Sequence, residues 1–376
     1  MKKFNLLQLL PALDSGGLEQ GTVDLANFIG ENNLGSFIVS KGGLMENQLD
    51  QRTTKHIKLA THTKNFLYMP FVANKLNKII NNNAIDIVHV RSRAPAWMLQ
   101  FINKKNFKSV STFHNVYGTS NFLKRYYNKS LCKVDHIIAI SQYVKSQIAK
   151  LYNLDENSIN VIYRGIDIDY FNSEINSEDV LAKFLYKYEI PSDKKIILYP
   201  GRLTDWKGQI QFLKIIENYK NDKKMFYFIG DNKNKSYYLK LIKEIKNKNL
   251  GHICKVIGNL NKQDLKMMYL CSDLIISAPL KPEGFGRIIS ESLAMKKIIL
   301  CYDYGGAKEQ IKSLDNIFKV EPNNQKELIV KIDKSLEFSK ENISNIGNKS
   351  RKYIIDNFSK KKMLENYLSF YNSILL

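Results

Sequence analysis

Acidic residues are scarce in this chain. Its 36 Asp and Glu face 57 Lys and Arg, a formal charge of +21 over 376 residues. Such a field attracts anions: nucleotide diphosphates, anionic membrane surfaces or nucleic acid. The chain is also rich in Lys, Asn and Ile together, so a compositional bias is an equal explanation for the excess. Cysteine is sparse. Cys132, Cys254, Cys271 and Cys301 stand far apart and none is at metal-ligand spacing, which argues against a disulfide framework and fits a reducing cytosol. No apolar run approaches the ~18 residues that a membrane-spanning helix needs, so membrane contact has to be peripheral. Met1-Lys2-Lys3 and the apolar stretch to Leu13 imitate a short signal peptide. Asp14-Ser15-Gly16-Gly17 follows at once without a small-x-small cleavage site, so a first strand entering a glycine loop is the better reading. There is no complete G-x-G-x-x-G, and a dinucleotide cofactor is not supported. Sequence repeats and long low-complexity segments are missing as well.

What is present is 44% hydrophobic, enough for packed cores, on a chain long enough for two domains. Short apolar strands alternate with amphipathic helical segments, the pattern of parallel α/β sheets. The first half reads as strands near Leu6–Leu10, Ser36–Ser40, Ile85–Val90, Ser109–Phe113, His136–Ile140 and Asn160–Ile162, with helices such as Leu18–Glu31 and Ser141–Tyr152 between them. The second half repeats the alternation near Ile196–Pro200, Phe226–Ile229, Cys254–Ile257, Leu274–Ser277, Ile298–Cys301 and Ile317–Val320. The expected division is a first Rossmann-like domain over 1–172, a linker over 173–194, a second Rossmann-like domain over 195–355 and a last helix over 356–376. The Lys/Asn-rich stretch Asn232–Asn249 keeps Tyr237, Tyr238, Leu241 and Ile245 at helical spacing and reads as a solvated helix.

The densest chemistry lies in Pro282-Glu283-Gly284-Phe285-Gly286-Arg287-Ile288-Ile289-Ser290-Glu291. Its Gly-Phe-Gly turn opens an apolar-periodic helix whose free N–H groups and positive dipole end suit a diphosphate. Glu283 precedes that helix and can reach a hydroxyl beyond the phosphates. Glu291 lies about two turns on, its side chain leaning back toward the helix start. Glutamates at this spacing are also common on ordinary surface helices. Gly201-Arg202-Leu203-Thr204-Asp205-Trp206-Lys207-Gly208 follows the first strand of the second half, where α/β sheets bind ligands. Arg202 offers a phosphate-gripping fork and Lys207 a compact charge, suited together to neutralising a departing diphosphate.

These segments resemble retaining glycosyltransferases of family 4, which have the two-lobed GT-B fold. The resemblance rests on the E-x7-E of Glu283 and Glu291, on G-R-x-x-x-x-K-G at Gly201–Gly208, on the Gly16-Gly17 loop followed by Glu19, and on His114 after the Ser109–Phe113 strand. It implies two Rossmann-like domains whose parallel sheets face an interdomain cleft, with the last helix crossing back to the first domain. Catalysis would fall to Arg202, Lys207, Glu283 and His114, the last touching the donor sugar. Gly16, Gly17, Gly284, Phe285, Gly286, Arg287 and Glu291 would hold the nucleotide, Glu291 at the ribose. No bound cofactor or metal is implied, and no Asp-x-Asp stands in a loop suited to Mg²⁺. The donor is a UDP- or GDP-sugar, and the acceptor is a glycan or lipid-linked hydroxyl in bacterial lipopolysaccharide or surface-polysaccharide synthesis. Tyr163-Arg164-Gly165-Ile166-Asp167 resembles a family turn with Arg164 in place of a small polar residue, and Asp167 reads as a turn cap. Gly305-Gly306 and Glu309 resemble a loop that shapes the nucleotide pocket.

Three features stay open at this level. His89, Arg91 and Arg93 close another first-half strand and either bind an anionic acceptor or donor or cap neighbouring elements. The basic-aromatic segment Asn121–Lys129 either touches an anionic inner-membrane surface from the cytoplasm or packs inward. A nucleotide-sugar 2-epimerase on the same fold and a non-catalytic basic membrane- or nucleic-acid-binding protein are the rival readings. Nucleic acid is not the expected partner, since no binding motif accompanies the basic residues.

Overall fold

The computed structural model describes residues 3–14, 16–102, 106–118, 121–174, 178–219 and 223–376. The chain divides into two compact units, Met1–Gly165 with Lys360–Leu376, and Ile166–Ser359.

The first unit has strands β1 (Asn5–Leu9), β2 (Gly35–Ser40), β3 (Thr54–Lys58), β4 (Ile87–Val90), β5 (Lys108–Phe113), β6 (His136–Ala139) and β7 (Ile159–Val161). They form one parallel sheet in the order β3-β2-β1-β4-β5-β6-β7. Helices α1 (Gly17–Glu31), α2 (Met69–Asn82), α3 (Arg93–Leu99), α4 (Phe122–Asn128) and α5 (Gln142–Tyr152) connect the strands. Central strands such as β4, Ile-Val-His-Val, are buried throughout because helices cover both faces of a parallel sheet. The C-terminal helix, Lys360–Ile374, belongs to this unit. Its Met363, Leu364, Tyr367 and Tyr371 enter one core with Phe4, Leu25, Ile87, Val110 and Ile138.

Strand β3 is a departure from the sequence reading. Thr54-Lys55-His56-Ile57-Lys58 has no apolar run, yet it pairs with β2 from Ser36↔Thr54 to Ser40↔Lys58. An edge strand needs only one neighbour, and lysines on it discourage pairing with another chain. Its position is fixed instead by polar contacts, with His56 Nε2 2.9 Å from Ser40 Oγ and its Nδ1 3.2 Å from Glu46.

The second unit has β8 (Lys195–Pro200), β9 (Lys224–Ile229), β10 (Cys254–Ile257), β11 (Leu274–Ser277), β12 (Ile299–Tyr302) and β13 (Lys319–Val320), parallel in the order β10-β9-β8-β11-β12-β13. Its helices are α6 (Glu178–Lys187), α7 (Gln209–Ile216), α8 (Lys235–Asn247), α9 (Lys262–Cys271), α10 (Arg287–Ala294), α11 (Gly305–Ile311), α12 (Gln325–Leu336) and α13 (Lys340–Phe358). Helix α8 is the expected solvated one, burying only Tyr237, Leu241 and Ile245. Helix α6 lies inside the polar stretch that separates the two strand series. In each sheet the strand order reverses once, between β1 and β4 and between β8 and β11. Ligands of open α/β sheets bind beyond the carboxyl ends of the strands at such a switch point.

Candidate active site

In the second unit both expected segments leave strands that flank the switch point. Arg202 and Lys207 follow β8, and Glu283 follows β11. The Lys207 Nζ pairs with the Glu283 carboxylate, both side chains nearly buried. Trp206 lies between the two cations, its ring 5.7 Å from the Arg202 guanidinium and 4.8 Å from Lys207 Nζ. Arg202 itself is exposed. The short 3₁₀ turn Asp205–Lys207 is tied to the end of β11 by the Tyr199 hydroxyl, whose one proton is shared between the carbonyls of Lys207 (2.7 Å) and Ala278 (2.9 Å). Burial raises the Tyr199 hydroxyl well above its ordinary pKa, so it stays a donor.

Gly286 begins α10 with φ +86°, a left-handed conformation that disfavours a side chain. The preceding loop is set from behind. Gly306 N donates to the Glu283 carbonyl at 2.9 Å, and a Cβ on Gly306 would stand 2.4 Å from the Gly284 carbonyl oxygen. Gln310, fully buried, donates to the Phe285 carbonyl and accepts from the Ser290 hydroxyl. Glu291 is buried as well. Its Oε1 is 2.9 Å from Arg287 and its Oε2 accepts from Tyr269 at 3.0 Å. One turn of the loop and one helix end thus hold two cation–carboxylate pairs in fixed positions.

In the first unit, Gly16 precedes α1 and Gly17 is its first residue. Arg164 donates to the Gly17 carbonyl, and its guanidinium lies against Gly21, so it braces the helix start. Asp167, at the start of the second unit, accepts from Tyr170 N at 3.1 Å, the turn cap expected of it. His114 follows β5 with its Nε2 shielded from solvent. Burial, then the nearby Arg91 and Arg164 guanidiniums, push its pKa well below 6.5, so the imidazole is neutral. His89 is not a binding residue in this arrangement. Its two ring nitrogens meet the Tyr371 hydroxyl and Thr112 Oγ1, each at 2.7 Å. Arg91, after the same strand, is wholly buried, and its three guanidinium nitrogens meet no acceptor among the described residues. The ring of Tyr367 lies 5.5 Å from it.

The comparisons with known proteins agree with this layout. The family model described as Glycosyltransferase Family 4 matches residues 15–170, and Glycosyl transferases group 1 matches 183–357. A solved glycosyltransferase from Rickettsia africae is 36% identical, covering 100% of this chain and 99% of its own, with a TM-score of 0.89. The chain belongs to glycosyltransferase family 4. Anabaena Alr3699/HepE, solved in complex with UDP and glucose, shares the fold at 18% identity and a TM-score of 0.83 over 98% of this chain and 100% of its own. A Campylobacter jejuni relative, N-acetylgalactosamine-N,N'-diacetylbacillosaminyl-diphospho-undecaprenol 4-alpha-N-acetylgalactosaminyltransferase, is 25% identical over 73% of each chain. The α/β architecture with two parallel sheets is the GT-B fold.

Sequence reasoning missed four residues that position the site of this glycosyltransferase: Tyr199, Tyr269, Ser290 and Gln310. Each is a buried polar side chain whose partner is distant in sequence. Gln310 stands in Lys308-Glu309-Gln310-Ile311-Lys312, among charged neighbours, and carried no local signal of its burial.

Proposed function

We propose that this glycosyltransferase transfers a sugar with retention from a nucleoside-diphosphate sugar to a hydroxyl of a glycan or lipid-linked acceptor. The observation that carries the reading is the buried Lys207–Glu283 pair beside the start of α10. As the sugar–phosphate bond stretches, negative charge grows on the diphosphate. Arg202, Lys207 and the N–H groups at Gly286 and Arg287 stabilise that charge more in the transition state than in the ground state. Lys207 keeps donors beyond the one given to Glu283 and so can take up phosphate oxygens. Glu283, held in place by that pairing, is assigned to the hydroxyls of the donor sugar. Glu291, fixed by Arg287 and Tyr269, is assigned to the ribose. His114, neutral, hydrogen-bonds the sugar rather than acting as an acid. Gly16 and Gly17 let backbone come close to phosphate.

The departing phosphate takes the proton of the acceptor hydroxyl, with attack on the same face that it leaves. The UDP in the Anabaena structure and the diphospho-undecaprenol acceptor in the Campylobacter name favour a nucleotide donor and a surface-glycan acceptor. Among the described residues no helix is long and apolar enough to cross a membrane, and we place the enzyme in the cytoplasm, at the inner-membrane face.

A panel of UDP- and GDP-sugars, scored by thermal shift and slow donor hydrolysis, tests the reading. One donor should shift the melt, and Arg202→Ala should remove both signals. Turnover of a donor without an acceptor, giving a 2-epimer, would replace transfer with epimerisation.

A further inference from the structure

We propose that the first unit carries a docking surface for an anionic lipid bilayer, and that the cavity behind α4 takes a lipid-borne phosphate. The lipid would anchor the acceptor, and in that respect the inference rests on the transfer reading above.

Charge is the first ground. Between Gln51 and Val134 the chain has fifteen Lys and Arg against one carboxylate, Asp86, whereas the remainder has forty-two against thirty-five. A general compositional bias would not concentrate the imbalance in one segment. Asp86 is occupied, accepting from Asn5 N at 2.8 Å at the amino end of the sheet.

The second ground is a cavity of about 980 Å³ within this unit. It opens at the carboxyl ends of three strands, since Pro11 follows β1, Ser92 and Arg93 follow β4, and Val116–Gly118 follow β5. Trp97 forms its wall, with Phe66 edge-on at 5.3 Å, Tyr126 at 5.5 Å and Tyr127 at 6.2 Å. The Trp97 Nε1 donates to the Tyr127 carbonyl at 2.9 Å, which holds the indole in place. Lys64, Arg93 and Lys124 line the cavity, and among the described residues no carboxylate does. Arg93 is pre-set, 2.9 Å from Asn128 Oδ1 and 4.6 Å from the Tyr117 ring. Three cations on an aromatic wall fit a phosphate attached to an apolar body.

The third ground is the rim. Among the described residues, seven of the sixteen exposed large hydrophobic side chains fall in two short segments, Phe66, Leu67, Tyr68 and Phe71, and Phe122, Leu123 and Tyr126. Trp97 touches both segments and so joins them into one patch. Leu67 is 93% exposed and Phe122 76%. Clustered apolar side chains among lysines are the mark of an interfacial surface, in which the lysine stems lie along hydrocarbon and their heads meet phosphate.

The test uses the full chain and vesicles sedimented at fixed salt. Equimolar phosphatidylglycerol and phosphatidylcholine should bind at least about tenfold more tightly than phosphatidylcholine alone. Leu67→Ser with Phe122→Ser leaves the charge unchanged and should weaken binding about tenfold. Lys64→Glu with Lys124→Glu should weaken it further. If the double serine variant binds like the wild type, the overall charge acts without a site and the proposal fails. It also fails if a single-stranded oligonucleotide binds more tightly than the anionic vesicles at the same salt.

Trp206→Phe leaves Trp97 as the only tryptophan and makes its emission a probe of the cavity. Dihexanoyl phosphatidate should shift that emission saturably at concentrations where inorganic phosphate does not. An equal response to inorganic phosphate would make the cavity a simple anion site, and no response to either would remove the cavity from the proposal. The nucleotide thermal shift of the wild type is read separately. Its failure would sink the transfer reading with vesicle binding intact, and loss of vesicle binding alone would sink this inference.

Discussion

The cations Lys207 and Arg287 in the second unit and Arg91 in the first are held in opposite ways. In the second, Lys207 is matched to Glu283 and Arg287 to Glu291, so the site is nearly self-neutral before any ligand arrives. In the first, Arg91 lies wholly buried beside a neutral His114, and no described residue accepts from its guanidinium. A buried pair needs both partners, and removing one leaves a stranded charge. A buried cation without a partner is a standing cost to the fold that an anion can relieve. The second unit therefore has a prearranged site whose cations are fixed by their own carboxylates. The first keeps positive charge at the loop that follows β4, where Arg91 and Arg93 lie.

The largest expected effect is on Lys207. Lys207→Ala should lower transfer at least ~10²-fold, as loss of a charged transition-state partner does. It should also destabilise the fold by about 3 kcal/mol by stranding Glu283, and Glu283→Ala in the same chain should recover much of that. A thermodynamic cycle on the melts measures the coupling, and a value near zero would break the contrast at its stronger end. Arg91→Met should have the opposite sign, raising stability by ~1–3 kcal/mol in a urea titration because it removes an unmatched charge of similar volume. A destabilised Arg91→Met would show that the two units are alike after all.

Gln310→Leu should cost ~1–3 kcal/mol by leaving the Phe285 carbonyl and Ser290 hydroxyl without partners, and it should raise the KM for the donor. Gln310→Glu, which keeps the shape but not the amide donor, sharpens the assignment.

The last expected effect is on acid stability, and only its direction is fixed. His89 is neutral in the fold, its pKa pushed well below 6.5 by burial and then by Arg91, while the unfolded chain takes up a proton near 6.5. Below that pH the unfolded state binds more protons, so stability is fully present above 6.5 and falls as pH drops. His114 adds in the same direction. Melts between pH 8 and 5 read it, and His89→Asn should flatten the curve.

The sequence by itself determined the strand alternation, the βα loops and the family. Central strands are apolar because both faces are covered, and loops such as Gly201–Gly208 and Glu283–Glu291 carry their chemistry in adjacent residues. It could not show β3, whose polar residues need a partner on one side only. Nor could it show that Arg91 is buried while Arg202 is exposed, since both follow a strand in equally polar segments. Tertiary structure alone decided which cation meets which carboxylate, and it recruited Tyr199, Tyr269 and Gln310 to the site. Their contacts to Ala278, Glu291 and Phe285 span 79, 22 and 25 residues of chain, and hydrogen-bond partners at such separations are set by how strands and helices pack.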